Sequence, residues 1–282
     1  MRFRAVLLAA ALIGLSGREA LALAPARAYR TTPEKLKLKF EPVKLMATDS
    51  TRLGGWWFPG PANSSVIVMA GSGVGNQADL LPGVVELLKR GFTVMTFDYR
   101  GFGPSGSGPS DSLRRLLYSS AYVRDMAGVL KEARRRAGPH RHLFAYGSDL
   151  GSGVSIAAAA RTKTTDGVVA DGLWGMTREY ILNAGLSQDY RAVQYANTQV
   201  EIDDEPAVAS VMLKTPLLLI TCERDSIMPP VNAQAAARGA TVRLDIWMVQ
   251  GARHGESIAK SPDYYERLTR WFKMLQAIPR AE

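Results

Sequence analysis

Short, nearly continuous apolar runs recur along the chain at residues 66–70, 92–97, 142–146, 167–174, 216–221 and 242–249, separated by glycine, proline or polar turns. Runs of this kind, with little polar alternation, predict strands buried on both faces. Between several of them lie longer stretches with apolar residues three and four apart, which predict helices over 80–89, 116–136, 154–160 and 264–275. Ahead of this rhythm, residues 36–46 and 51–58 predict an opening hairpin, and Pro59-Gly60-Pro61 ends it.

Buried parallel strands need helical crossovers, and amphipathic helices need an apolar layer to cover. The expected class is therefore α/β, a mostly parallel central sheet flanked by helices. One domain is expected over residues 50–278, preceded by a lead-in and first strand at 25–49 and followed by a tail at 279–282. Residues 176–213 break the rhythm with Tyr180, Tyr190, Tyr195 and an acidic turn at 201–205. A short lid is expected there, with an ordinary surface insertion as the alternative.

Composition narrows the picture further. The 282 residues are 46% hydrophobic and 22% charged, which excludes the disordered and collagen-like classes. Residues 1–24 combine Arg2 and Arg4, an apolar run over 5–15, and a small-residue end at Ala22-Leu23-Ala24. This is the pattern of an export signal, so a secreted or periplasmic location is expected. The apolar run falls short of the roughly 20 residues that span a bilayer, and no transmembrane domain is expected after cleavage. Ala26-Arg27-Ala28 is a second candidate processing site.

The formal charge is +9, or +7 without residues 1–24. Such a surface attracts anions, but no nucleic-acid module accompanies it, and no specific nucleic-acid partner is expected. One cysteine, Cys222, and three histidines leave no basis for an intramolecular disulfide or a Cys/His-rich metal centre. No metal or other cofactor is expected.

The most informative string is Tyr146-Gly147-Ser148-Asp149-Leu150-Gly151, between a predicted strand and a small-residue helix. Gly147 and Gly151 permit a tight turn with the helix close to the strand, so the string reads as a nucleophile elbow presenting Asp149. Ser148 is one position early and is expected to point elsewhere. Farther on, Asp225 follows an apolar strand, and Gly251-Ala252-Arg253-His254-Gly255 puts His254 on a turn beyond the last strand. The chain order is nucleophile, acid, base.

Together these motifs resemble the α/β-hydrolase superfamily, and especially its compact branch that includes serine aminopeptidase-like proteins. The resemblance covers about residues 50–278. Asp98-Tyr99-Arg100-Gly101-Phe102-Gly103-Pro104-Ser105-Gly106 is similar to the family's loop after its fourth strand, and Gly71-Ser72-Gly73 lies where its first oxyanion loop belongs. The resemblance implies an α/β-hydrolase fold, catalytic Asp149, Asp225 and His254, and backbone N–H groups of Ser72 and Leu150 facing the reacting oxygen.

The family usually has serine where this chain has Asp149. A carboxylate attacking an ester carbonyl gives an unproductive anhydride, whereas attack on a saturated carbon bearing a halide, or on an epoxide carbon, gives an alkyl-enzyme ester. Water activated by His254 can then hydrolyse it. Haloalkane dehalogenases and epoxide hydrolases of this superfamily work in this way, commonly with tryptophan after the aspartate, where this chain has Leu150. Asn76, Trp174, Tyr180, Tyr190 and Tyr195 are the candidate pocket residues, and a small organic substrate or ligand is the expected partner. The alternatives are a catalytically inactive hydrolase-like binding protein, and a serine-hydrolase-like esterase or peptidase with altered nucleophile geometry.

Overall fold

The computed structural model describes residues 24–106, 118–179 and 200–278. Eight strands form the main sheet: β1 Glu41–Met46, β2 Arg52–Phe58, β3 Val66–Ala70, β4 Thr93–Phe97, β5 Leu143–Ser148, β6 Gly167–Asp171, β7 Leu217–Cys222 and β8 Leu244–Val249. Their spatial order is β1-β2-β4-β3-β5-β6-β7-β8. The hairpin β1-β2 and the β2-β4 pairing are antiparallel, and the pairings from β4 through β8 are parallel.

Strand side chains alternate between two apolar layers. In β3, Val66, Val68 and Ala70 enter one layer with helices α2 Ser120–Ala137 and α3 Leu150–Thr162. Ile67 and Met69 enter the other with α1 Leu81–Lys89 and the helix Tyr264–Gln276. Residues of α4 Pro206–Met212 and α5 Pro230–Ala237 join the first layer. The last helices are α6 Ser257–Lys260 and α7 Tyr264–Gln276. Both faces are covered, which explains why the central strands carry little polar alternation.

Boundaries shift where local chemistry outweighs the apolar pattern. Helix α2 begins at Ser120 because extended Ser119 accepts the Ala121 N–H through its hydroxyl at 3.2 Å. The expected strand over 167–174 stops at Asp171. Within the interval expected to form a lid, the Thr177 N–H and hydroxyl both donate to Glu205, at 2.7 and 2.8 Å. The interior of that interval, including Tyr180, Tyr190 and Tyr195, lies outside the described residues. No helix among the described residues is long and apolar enough to cross a membrane.

Candidate active site

The strand β5 meets helix α3 at Asp149, whose backbone sits at φ 47° and ψ −116°. A non-glycine residue at positive φ is strained and persists only where its surroundings hold it. The Asp149 N–H donates to the Asp171 carbonyl at 2.9 Å, and the Asp149 carbonyl accepts from the Ser152 N–H at 2.9 Å and its hydroxyl at 2.6 Å. A Cβ on Gly147 would lie 1.9 Å from the Gly151 carbonyl oxygen, and one on Gly151 would lie 2.4 Å from that of Ala70. The two glycines therefore let the turn close.

Two loops beyond the parallel strands bring the remaining groups to Asp149. Asp225 follows β7, and one of its carboxylate oxygens accepts the N–H groups of Ile227 and Met228 at 2.9 and 2.8 Å. Its other oxygen is 2.9 Å from His254 Nδ1, on the loop after β8. With Nδ1 donating there, Nε2 is directed toward Asp149, 3.7 Å from its Oδ1. That separation is too long for a hydrogen bond, so the Asp149 carboxylate and the imidazole face each other without one.

Electrostatics follow from this packing. Burial raises the Asp149 pKa to about 6, with His254 pulling it down and Asp225 pushing it up. Burial lowers that of His254, but its hydrogen bond to Asp225 and the charges of Asp149, Asp225 and Asp171 carry it upward overall. The Asp149 side chain is 28% exposed, whereas that of Asp225 is 2% exposed. The first carboxylate is open to a ligand, whereas the second is taken up by the imidazole and by the Ile227 and Met228 N–H groups.

A cavity of about 700 Å³ opens above this centre, and its lining includes Ser72, Ser148, Asp149, Asp171, Cys222 and Tyr265. Asp171, at the end of β6, accepts the Ser257 hydroxyl at 2.6 Å and the Tyr264 hydroxyl at 2.7 Å on one oxygen. The Tyr264 oxygen lies 3.0 Å from that of Tyr146. Since Tyr264 donates to Asp171, Tyr146 donates to Tyr264, giving a directional chain under the cavity floor. Burial raises the Asp171 pKa to about 6 against these hydrogen bonds. Burial also pushes the Cys222 thiol up to about 12, so it lines the cavity as a neutral thiol.

The structure thus brings Asp149, Asp225 and His254 together, with Ser72 on the cavity wall and Leu150 as the first residue of α3. Ser148, expected to point elsewhere, also lines the cavity. Asn76 lines it too, but its side chain is engaged with the Ala78 N–H and the carbonyls of Ala26 and Ala28. Trp174 lies in the core, edge-on to Tyr118 at 5.1 Å between ring centroids, and outside the cavity lining. Sequence reasoning missed Asp171, Ser257 and Tyr264. The available signal was an acid at the carboxyl end of a parallel strand, where α/β folds gather ligands. Among the described residues, no group of three or more His, Cys, Asp or Glu side chains is placed to hold a metal ion.

Residues 62–174 match the family model for serine aminopeptidase, S33. The chain is 30% identical over 205 residues to the uncharacterized protein YfhR of Escherichia coli O157:H7, covering 67% of this chain and 64% of that protein. The matched stretch thus spans less than two thirds of that relative. The esterase Pf2001 of Pyrococcus furiosus superposes with a TM-score of 0.72 at 20% identity, over 90% of this chain and 98% of the other. An acylaminoacyl peptidase of Pyrococcus horikoshii gives 0.64 at 18% identity, over 89% of this chain and 45% of the other. At such identities the solved structures speak to the fold alone.

Proposed function

We propose that the chain, which resembles the α/β-hydrolase superfamily in its partial match to the serine aminopeptidase model and in its fold, is a hydrolase in which Asp149 forms an alkyl-enzyme ester with a small organic substrate. The observation that carries this reading is the Asp149 carboxylate at the strained elbow, open to the cavity and 3.7 Å from a histidine held by Asp225.

In the first step an Asp149 oxygen attacks a saturated carbon. The new C–O bond forms as the bond to a halide breaks and halide leaves, or as an epoxide opens and its oxygen takes up a proton from solvent. In the second, His254 Nε2 removes a proton from water, and the water oxygen adds to the carboxyl carbon of the ester. Collapse breaks the acyl C–O bond, His254 returns the proton to the departing alkoxide, and the carboxylic acid left on Asp149 releases its remaining proton to solvent, regenerating the carboxylate. The N–H groups of Ser72 and Leu150 are assigned to the oxyanion of that second step. No cofactor enters the scheme, and the leader-like residues 1–24 support work outside the cytoplasm.

Ser148 on the cavity wall favours one second reading, acyl transfer from that hydroxyl. The test is peptide mass spectrometry of the His254→Gln variant after exposure to haloalkane, epoxide and ester panels. A substrate-derived mass on the peptide containing Asp149 is expected. Absence of any adduct, together with no turnover of halide or epoxide substrates by the unaltered protein, would refute the Asp149 mechanism for those classes. An adduct on Ser148 would select the second reading, and ester cleavage gained by Asp149→Ser would identify a disabled serine-hydrolase scaffold.

A further inference from the structure

The segment just after the export-like leader lies across the loop that carries Ser72. Ala24 and Pro25 pair in parallel with Val74 and Gly75, and the Ala26 N–H donates to the Gly75 carbonyl at 2.8 Å. The Asn76 side-chain amide donates to the carbonyls of Ala26 and Ala28 at 3.1 and 2.9 Å while its oxygen accepts the Ala78 N–H at 3.1 Å. The Arg27 guanidinium reaches the carbonyls of Gly103 and Ser105 at 3.1 and 2.6 Å. The Tyr29 hydroxyl donates to Asp98 at 2.5 Å and accepts from the Gln77 side chain at 2.8 Å, with its ring 4.8 Å from that of Trp56.

The bonds of residues 24–26, 28 and 29 reach residues 74–77, which begin two positions beyond Ser72, while Arg27 anchors the segment to the carbonyls of Gly103 and Ser105; Val74 and Asn76 line the same cavity as Asp149. A loop amide assigned to a developing oxyanion works only if it is held to within about 0.5 Å of its productive position. We propose that residues 25–29 are a strap retained in the working protein, and that Arg27, Tyr29 and Asn76 act through it as positioning residues for the Ser72 amide. Processing therefore falls on the amino-terminal side of the strap. Cleavage after Ala28 would remove Arg27 and both carbonyls that accept from Asn76.

The catalytic part of this inference rests on the hydrolase reading, whereas the strap itself does not, so the test has arms for each. Hydrogen–deuterium exchange is compared between the full chain and its Arg27→Met variant, with a chain beginning at Tyr29 as the second comparison. Exchange at amides 74–78 is expected to accelerate about tenfold or more, while amides of β5 and β7 keep their protection. Unchanged exchange at 74–78 overturns the strap, whether or not turnover is found. With a turnover assay in hand, kcat is expected to fall about 10- to 100-fold while KM changes less than about threefold, and Arg27→Lys to recover part of the loss. Accelerated exchange with unchanged kcat overturns the positioning role. Intact mass of the processed protein supplies the last arm: a chain starting at or before Pro25 is expected, and one starting at Tyr29 overturns retention.

Discussion

Asp171 offers a quantitative check on the electrostatics of the cavity floor. One of its oxygens accepts from both Ser257 and Tyr264, and burial raises its pKa from 3.8 to about 6. A folded-state value above the unfolded value means that the folded protein binds the proton more tightly. Ionising Asp171 therefore costs stability as pH rises through this window. The shift corresponds to a penalty of about 3 kcal/mol at pH 7.5, falling to roughly half of that at pH 5 and to a small fraction of it at pH 4. In Asp171→Asn a single amide oxygen can still accept both hydroxyls, and the charge is gone.

Urea unfolding at several pH values should therefore show Asp171→Asn more stable than the unaltered protein at pH 7.5, by up to about 3 kcal/mol, with the difference shrinking steadily toward pH 4. A variant that is less stable at pH 7.5, or a difference independent of pH, would refute the picture of a charge held against burial. The same substitution removes a negative charge that raises the His254 pKa. The acid limb of a pH–rate profile governed by the neutral imidazole should consequently move to lower pH.

Asp149→Gly relieves a non-glycine residue at φ 47° and removes a partly buried carboxylate, so it should stabilise the fold by about 1–3 kcal/mol while abolishing turnover. A thermal melt showing no gain would count against stored strain at the elbow. Arg100 pairs at 2.6 Å with Asp125, whose side chain is fully buried. Arg100→Met should cost about 3–5 kcal/mol in denaturant unfolding, much of it recovered when Asp125→Leu is added. Equal losses in the single and double variants would mean that the unpaired charge is not the cause.

The sheet was legible because its central strands are buried on both faces and so carry runs with little polar interruption, as in β3 and β7. Asp149, Asp225 and His254 could be read from local strings because each sits just beyond a strand. Trp174 could not. Its placement depends on α3, where a Cβ on Gly153 would lie 2.8 Å from the indole, and on Tyr118 across a long gap in sequence. Asp171 falls inside the expected strand over 167–174, and its partners Ser257 and Tyr264 arrive from 86 and 93 residues away. Residues 25–29 lack any periodicity, and their contacts are mostly backbone carbonyls and amides, which composition cannot reveal.

The chain order of the site also dictates when it can exist. His254 lies on the loop after β8, and the Ser257 and Tyr264 hydroxyls that hold Asp171 come from α6 and α7, the last helices of the structure. A nascent chain that has released β5 and its elbow still lacks the imidazole that faces Asp149 and the hydroxyls that hold Asp171. A chain emerging amino-terminus first therefore assembles this cluster of side chains only after residues through Tyr264 have been delivered.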